Sequence, residues 1–144
     1  MLPRFAIDGI GAALPELLRA QFDPYFGKQI LDAARFVNVP LIPTPGDLGQ
    51  TRGMTFGNLV LLSRRYPCTA SLYFHELVHV VQYQLLGFAG FMQRYMTGWV
   101  LEGFRYRDIP LEQDAFGLQA QFDRGEVFPV MPEIQRRLAQ RRST

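Results

Sequence analysis

Apolar positions in this chain fall into runs whose spacing changes at a proline-rich break. Residues 14–20 and 24–36 carry helical spacing, with Asp23 placed to cap and Pro24 to open the second helix. Pro40, Pro43, Pro45 and Gly46 then mark a rigid, irregular connection. Residues 54–63 read MTFGNLVLLS, rich in strand-forming types and bounded by Gly53 and Pro67, which predicts a strand. The pattern over 69–86 is that of a long apolar helix ended by Gly87, and a second helical pattern covers 88–101. Further helices are predicted over 110–122 and 132–140, each opened by a proline, before an arginine-rich tail. The balance predicts an α+β fold, mostly helical, with one small sheet. A chain of 144 residues can bury one hydrophobic core but not two ordinary ones, so residues 1–144 are expected to form a single domain.

The long helix carries the chemistry. Residues 75–79 read HELVH, and on a helix the i, i+4 spacing brings His75 and His79 onto one face, a turn apart. Two imidazoles so placed can share a metal ion. Zinc suits imidazole and, in catalytic sites, keeps three protein ligands and an open position for water. Glu76, next to the first histidine, is placed to act as general base on that water. Projected at 100° per residue, Phe74, Leu77, Val78, Val80, Val81 and Leu85 form one apolar arc. His75, Glu76, His79, Gln82 and Tyr83 fall together on the remaining arc, the arrangement expected of a helix that lines a cleft.

His75 and His79 are the only two histidines, so a third ligand must be another residue type. Cys68 is a formal alternative that reads better as a small packing residue. Among downstream acids Glu112 stands out, because it lies within the apolar arc formed by Leu111, Ala115, Leu118 and Phe122. A carboxylate there needs a partner, and a zinc ion would supply one. Asp114 sits at the edge of that arc, and Glu102 lies at a helix end where water can reach it.

With HELVHVVQ at 75–82 and PLEQDA at 110–115, the chain resembles the gluzincin metallopeptidases, and in particular compact bacterial peptidases that pair HELxHVxQ with a later PLExxA segment. The resemblance covers roughly residues 54–122. It implies a zincin-like fold, with a small sheet packed on the active-site helix, and Zn2+ held by His75, His79 and Glu112 with Glu76 as base. It also implies that the strand near 57–62 borders the cleft and can pair with an extended peptide. The chain departs from the thermolysin pattern: Phe116 stands where an aspartate would follow Glu112 by four residues, which leaves the orientation of the histidines open. Tyr106, Arg105, Arg107 and Tyr95 are all candidates to stabilise an oxyanion, and the sequence does not choose among them.

Composition narrows the alternatives. Charged residues make up 19% of the chain and the net charge of +2 is spread along its length, so nucleic acid is not an expected partner. A single cysteine excludes an intrachain disulfide and favours a reducing, cytoplasmic compartment. The most apolar stretch, 71–91, is interrupted by His75, Glu76, His79, Gln82 and Gln84, which argues against a membrane-embedded protease. The expected partner is a peptide or protein substrate. A non-catalytic, zinc-stabilised binding module is the competing expectation. A deformylase is set aside because the upstream cysteine motif of that family is missing.

Overall fold

The computed structural model describes residues 10–42 and 51–142. Its elements are α1 (Glu16–Ala33), β1 (Arg35–Val39), β2 (Gly53–Phe56), β3 (Leu59–Ser63), α2 (Ala70–Leu101), a 3-10 turn (Tyr106–Asp108), α3 (Pro110–Asp123) and α4 (Val130–Arg142). The α+β expectation holds, with a three-stranded mixed sheet in the order β1-β3-β2. No described helix is long and apolar enough to cross a membrane. Most of the proline-rich connection, residues 43–50, lies outside the described residues.

Three elements differ from the expectation. Asp23 and Pro24 do not start a helix: α1 runs straight through them and breaks instead at Gly27 (φ 76°, ψ 170°). The Pro24 ring deprives the Ala20 carbonyl of its partner, but both residues are exposed, so water can replace the lost bond. Residues 35 and 36 are not helical either. They begin β1, which pairs in parallel with β3, from Arg35 opposite Leu59 to Val39 opposite Ser63. The single strand expected over 54–63 is a hairpin, with Phe56 opposite Leu59 and Gly57 (φ 63°) and Asn58 as its two-residue turn. A glycine with positive φ at the first turn position matches the right-handed twist of the flanking strands.

Thr69 caps α2, its hydroxyl accepting from the Leu72 N–H at 3.1 Å. The helix passes through the middle of the molecule, with Phe74, Leu77, Val78, Val80 and Val81 fully buried. Phe74 is the centre of the core: Phe122 stacks on it at 4.5 Å, and Phe22, Tyr25, Phe26 and Phe128 surround it at 5.0–6.1 Å. Each such ring pair adds about 0.5–1.5 kcal/mol beyond its buried area. Because Phe74 immediately precedes His75, this packing fixes the helical phase of the HELVH segment.

The two helical patterns 69–86 and 88–101 are the two arms of α2, joined through Gly87 (φ 73°, ψ 167°), a conformation accessible in practice only to glycine. Beyond the bend, Phe91 stacks on Tyr83 at 3.7 Å and Tyr95 stacks on Phe91 at 5.6 Å. The second arm therefore packs back toward the first.

Candidate metal centre

His75 and His79 face α3 from the first arm of α2, with ring centroids 4.9 Å apart. Glu112 meets them from the first turn of α3, which Pro110 opens. One carboxylate oxygen, Oε1, lies 2.9 Å from His75 Nε2 and 3.1 Å from His79 Nε2. The other, Oε2, accepts from the Tyr95 hydroxyl at 2.7 Å. Among the described residues, these three side chains are the group that could hold a metal ion, each offering one ligand atom and all within 4.8 Å of one another.

Both imidazoles are oriented by glutamines. The Gln82 amide nitrogen donates to the Leu111 carbonyl at 3.0 Å, which can only accept, so the amide oxygen must face His79 Nδ1, 2.8 Å away. Nδ1 therefore carries a proton and donates it. Gln119 on α3 places its amide oxygen 2.9 Å from His75 Nδ1 in the same way. With Nδ1 occupied as a donor on each ring, both Nε2 atoms are left facing the same carboxylate oxygen. Lone pairs converging on one spot require a cation between them, either a proton or a metal ion. Two imidazole nitrogens and one carboxylate oxygen, all within 4.8 Å of one another, are a donor set that a divalent metal ion such as zinc accepts.

Burial and charge act together here. His75, Glu76, His79 and Glu112 are exposed by only 4%, 2%, 3% and 2%. Burial opposes charge on His79, but the Glu112 carboxylate outweighs it and raises the imidazole to about 9. Burial likewise opposes charge on Glu112, yet the two histidines hold its carboxyl well below the usual range. Glu76 is pushed up by burial, against the pull of the histidines. It turns to the sheet side of the helix, where Thr55 Oγ1 donates to its Oε1 at 2.9 Å. Gly53 makes room for this carboxyl: a Cβ there would stand 2.9 Å from Glu76 Cδ.

The structure thus brings together His75, His79 and Glu112, with Glu76 beside them. It does not leave the polar arc of α2 lining an open cleft, because α3, β2 and the second arm of α2 cover it. Phe116, in the place of the expected aspartate, packs on the His75 ring at 4.5 Å. Gln82 and Gln119 supply the orientation that no nearby acid provides. The other candidates lie elsewhere. Asp114 is buried but pairs with Arg141 at 2.7 and 3.2 Å, Glu102 follows the end of α2, and Cys68 is exposed near Asn38. Arg105 pairs with Asp108 and Arg107 lies over Phe116, whereas Tyr95 reaches Glu112. Tyr106 is raised by burial and by the charges of Glu112 and Glu76, so its hydroxyl shares their surroundings. Thr55, Gly53, Gln119 and Tyr95 in its observed role were not singled out by local sequence. No protein family, characterised protein or solved structure matches the chain.

Proposed function

We propose that this chain is a zinc-dependent peptidase of the gluzincin type with a zincin-like fold. The observation that supports it most is the convergence of two Nε2 atoms and one carboxylate oxygen, with both Nδ1 atoms already committed to glutamines. His75, His79 and Glu112 would hold the ion, which when bound supplies a Lewis acid able to lower the pKa of water to about 7. Glu76 would serve as the general base, accepting a proton on its carboxylate. Its burial, which raises its carboxyl, brings it closer to the working range of a general base. Tyr106 and Tyr95, whose hydroxyls both share the surroundings of Glu112, are the candidates to donate to a developing oxyanion, since Arg105 pairs with Asp108 and Arg107 lies over Phe116.

An extended substrate would pair with β2 and not with the strand expected over 57–62. Among the described residues, β3 has a neighbour on each side in the sheet and β2 is an edge. The Ser63 N–H donates to the Arg52 carbonyl, and the alternation of an antiparallel pair then turns the N–H and C=O of Gly53 and Thr55 outward. Glu76→Gln should retain zinc and lose about 100-fold or more of the hydrolysis rate, whereas His79→Ala should lose zinc as well. Zinc content by elemental analysis and cleavage of a peptide library measure the two effects. Undiminished cleavage by pure Glu76→Gln would eliminate the mechanism.

The near-complete burial of the four side chains favours a second reading, a zinc-stabilised binding module without catalysis. A large loss of thermal stability on chelation, together with no cleavage of any library, would select it.

A further inference from the structure

Gln119 is itself held in place. Its amide nitrogen donates to Ser71 Oγ at 2.7 Å, and Ser71 Oγ donates to Asp123 Oδ2 at 3.0 Å. The directions along this chain are forced. An ionised carboxylate only accepts, and a serine hydroxyl has a single proton to give, so that proton goes to Asp123. Ser71 must then accept from the Gln119 amide group, which turns the amide oxygen toward His75 Nδ1.

We propose that Asp123, an exposed residue at the far end of α3, is a positioning residue for the metal centre, fixing His75 through Ser71 and Gln119 as the tautomer protonated on Nδ1. The inference rests on the assignment of His75 as a zinc ligand. Its consequence is an inequality between the two imidazoles. Gln82 is anchored on a backbone carbonyl that cannot rotate away, and that carbonyl belongs to Leu111, next to Glu112. Gln119 is anchored on two rotatable side chains that end at the surface.

The placement of Asp123 supports such a role. It is the last residue of α3, where a negative charge is disfavoured by its own helix dipole. Its partner Ser71 lies in the first turn of α2, where the dipole of that helix favours an anion. Without the carboxylate, Ser71 is free to give its proton to the amide oxygen of Gln119. The amide can then turn its –NH2 group toward Nδ1, and the donor so presented favours a proton on Nε2, where the metal must bind.

The test is zinc affinity by chelator competition, paired with 15N chemical shifts of the two imidazoles in the metal-free protein. Asp123→Ala and Ser71→Ala should each weaken zinc binding about tenfold or more. Each should shift His75 Nδ1 toward its unprotonated form and leave the nitrogens of His79 in place. Gln119→Glu presents an acceptor in either orientation, so in that background Asp123→Ala should no longer matter. Unchanged affinity and unchanged His75 shifts in folded Asp123→Ala would overturn the proposal. If the wild-type protein binds no zinc, the zinc assignment fails, while the nitrogen shifts still judge the relay.

Discussion

Gly53 is the residue that lets the Glu76 carboxyl and the sheet occupy the same space. Its Cα faces the Glu76 carboxyl so closely that a methyl group would meet Cδ at 2.9 Å and Oε2 at 3.0 Å. Glu76 is buried and bonded to Thr55, so it has little room to retreat. Gly53→Ala should therefore displace the carboxyl while leaving His75, His79 and Glu112 untouched. We expect a loss of about 1–3 kcal/mol in stability from overpacking, an unchanged zinc content and a lower kcat, measured by urea unfolding, elemental analysis and peptide cleavage. A normal kcat would show that Glu76 is not held by β2. At this scale the sequence discloses the cluster of His75, His79 and Glu112, because HELVH has a mechanism tied to its spacing and Glu112 is an acid in an apolar stripe. It does not disclose Thr55, Gln119, Ser71 or Asp123. Nothing local distinguishes these polar residues from any others, and their role exists only once β2, α2 and α3 are packed.

Among the elements, α2 is the most informative. A straight α-helix would carry Tyr95 about 24 Å along the axis from His79, yet both side chains touch the Glu112 carboxylate. The bend at Gly87 is what reconciles the two contacts. An added Cβ at Gly87 would meet nothing within 4 Å, so Gly87→Ala tests backbone conformation alone. It should cost about 1–3 kcal/mol of stability, seen in urea melts, and weaken zinc binding by withdrawing Tyr95 from Glu112. Affinity equal to wild type would mean that Tyr95 contributes nothing to the ligand. This bend was legible, since Gly87 interrupts two runs of helical spacing. The hairpin was less so: Gly57-Asn58 is a good turn pair, but it sits inside an apolar run that reads as one strand. β1 was masked because its partner lies in β3, and parallel pairing across such a separation leaves no local mark.

For the molecule as a whole, metal loading and folding are linked through protons. His79 is held at about 9, above the ordinary value of about 6.5. Its ion pair with Glu112 therefore stabilises the metal-free fold fully below about pH 6.5, and that contribution is lost as pH rises through about 9. A metal ion binding through His79 would have to displace its proton below that point. Affinity should rise roughly tenfold per pH unit from about pH 7 to 9 and then level off, as read by chelator competition. A flat profile would show that His79 is not held protonated by Glu112 in the metal-free protein. Metal-free protein should also melt at lower temperature at pH 9 than at pH 6.5, measured by circular dichroism.

The doubling back of α2 also gives the centre a mechanical asymmetry. The two imidazoles ride on the arm clamped by the aromatic core, whereas the hydroxyl that restrains the carboxylate rides on the other. Prising the arms apart would release one oxygen of Glu112 before it disturbed either nitrogen, so the ion would first feel such a movement through its acidic ligand.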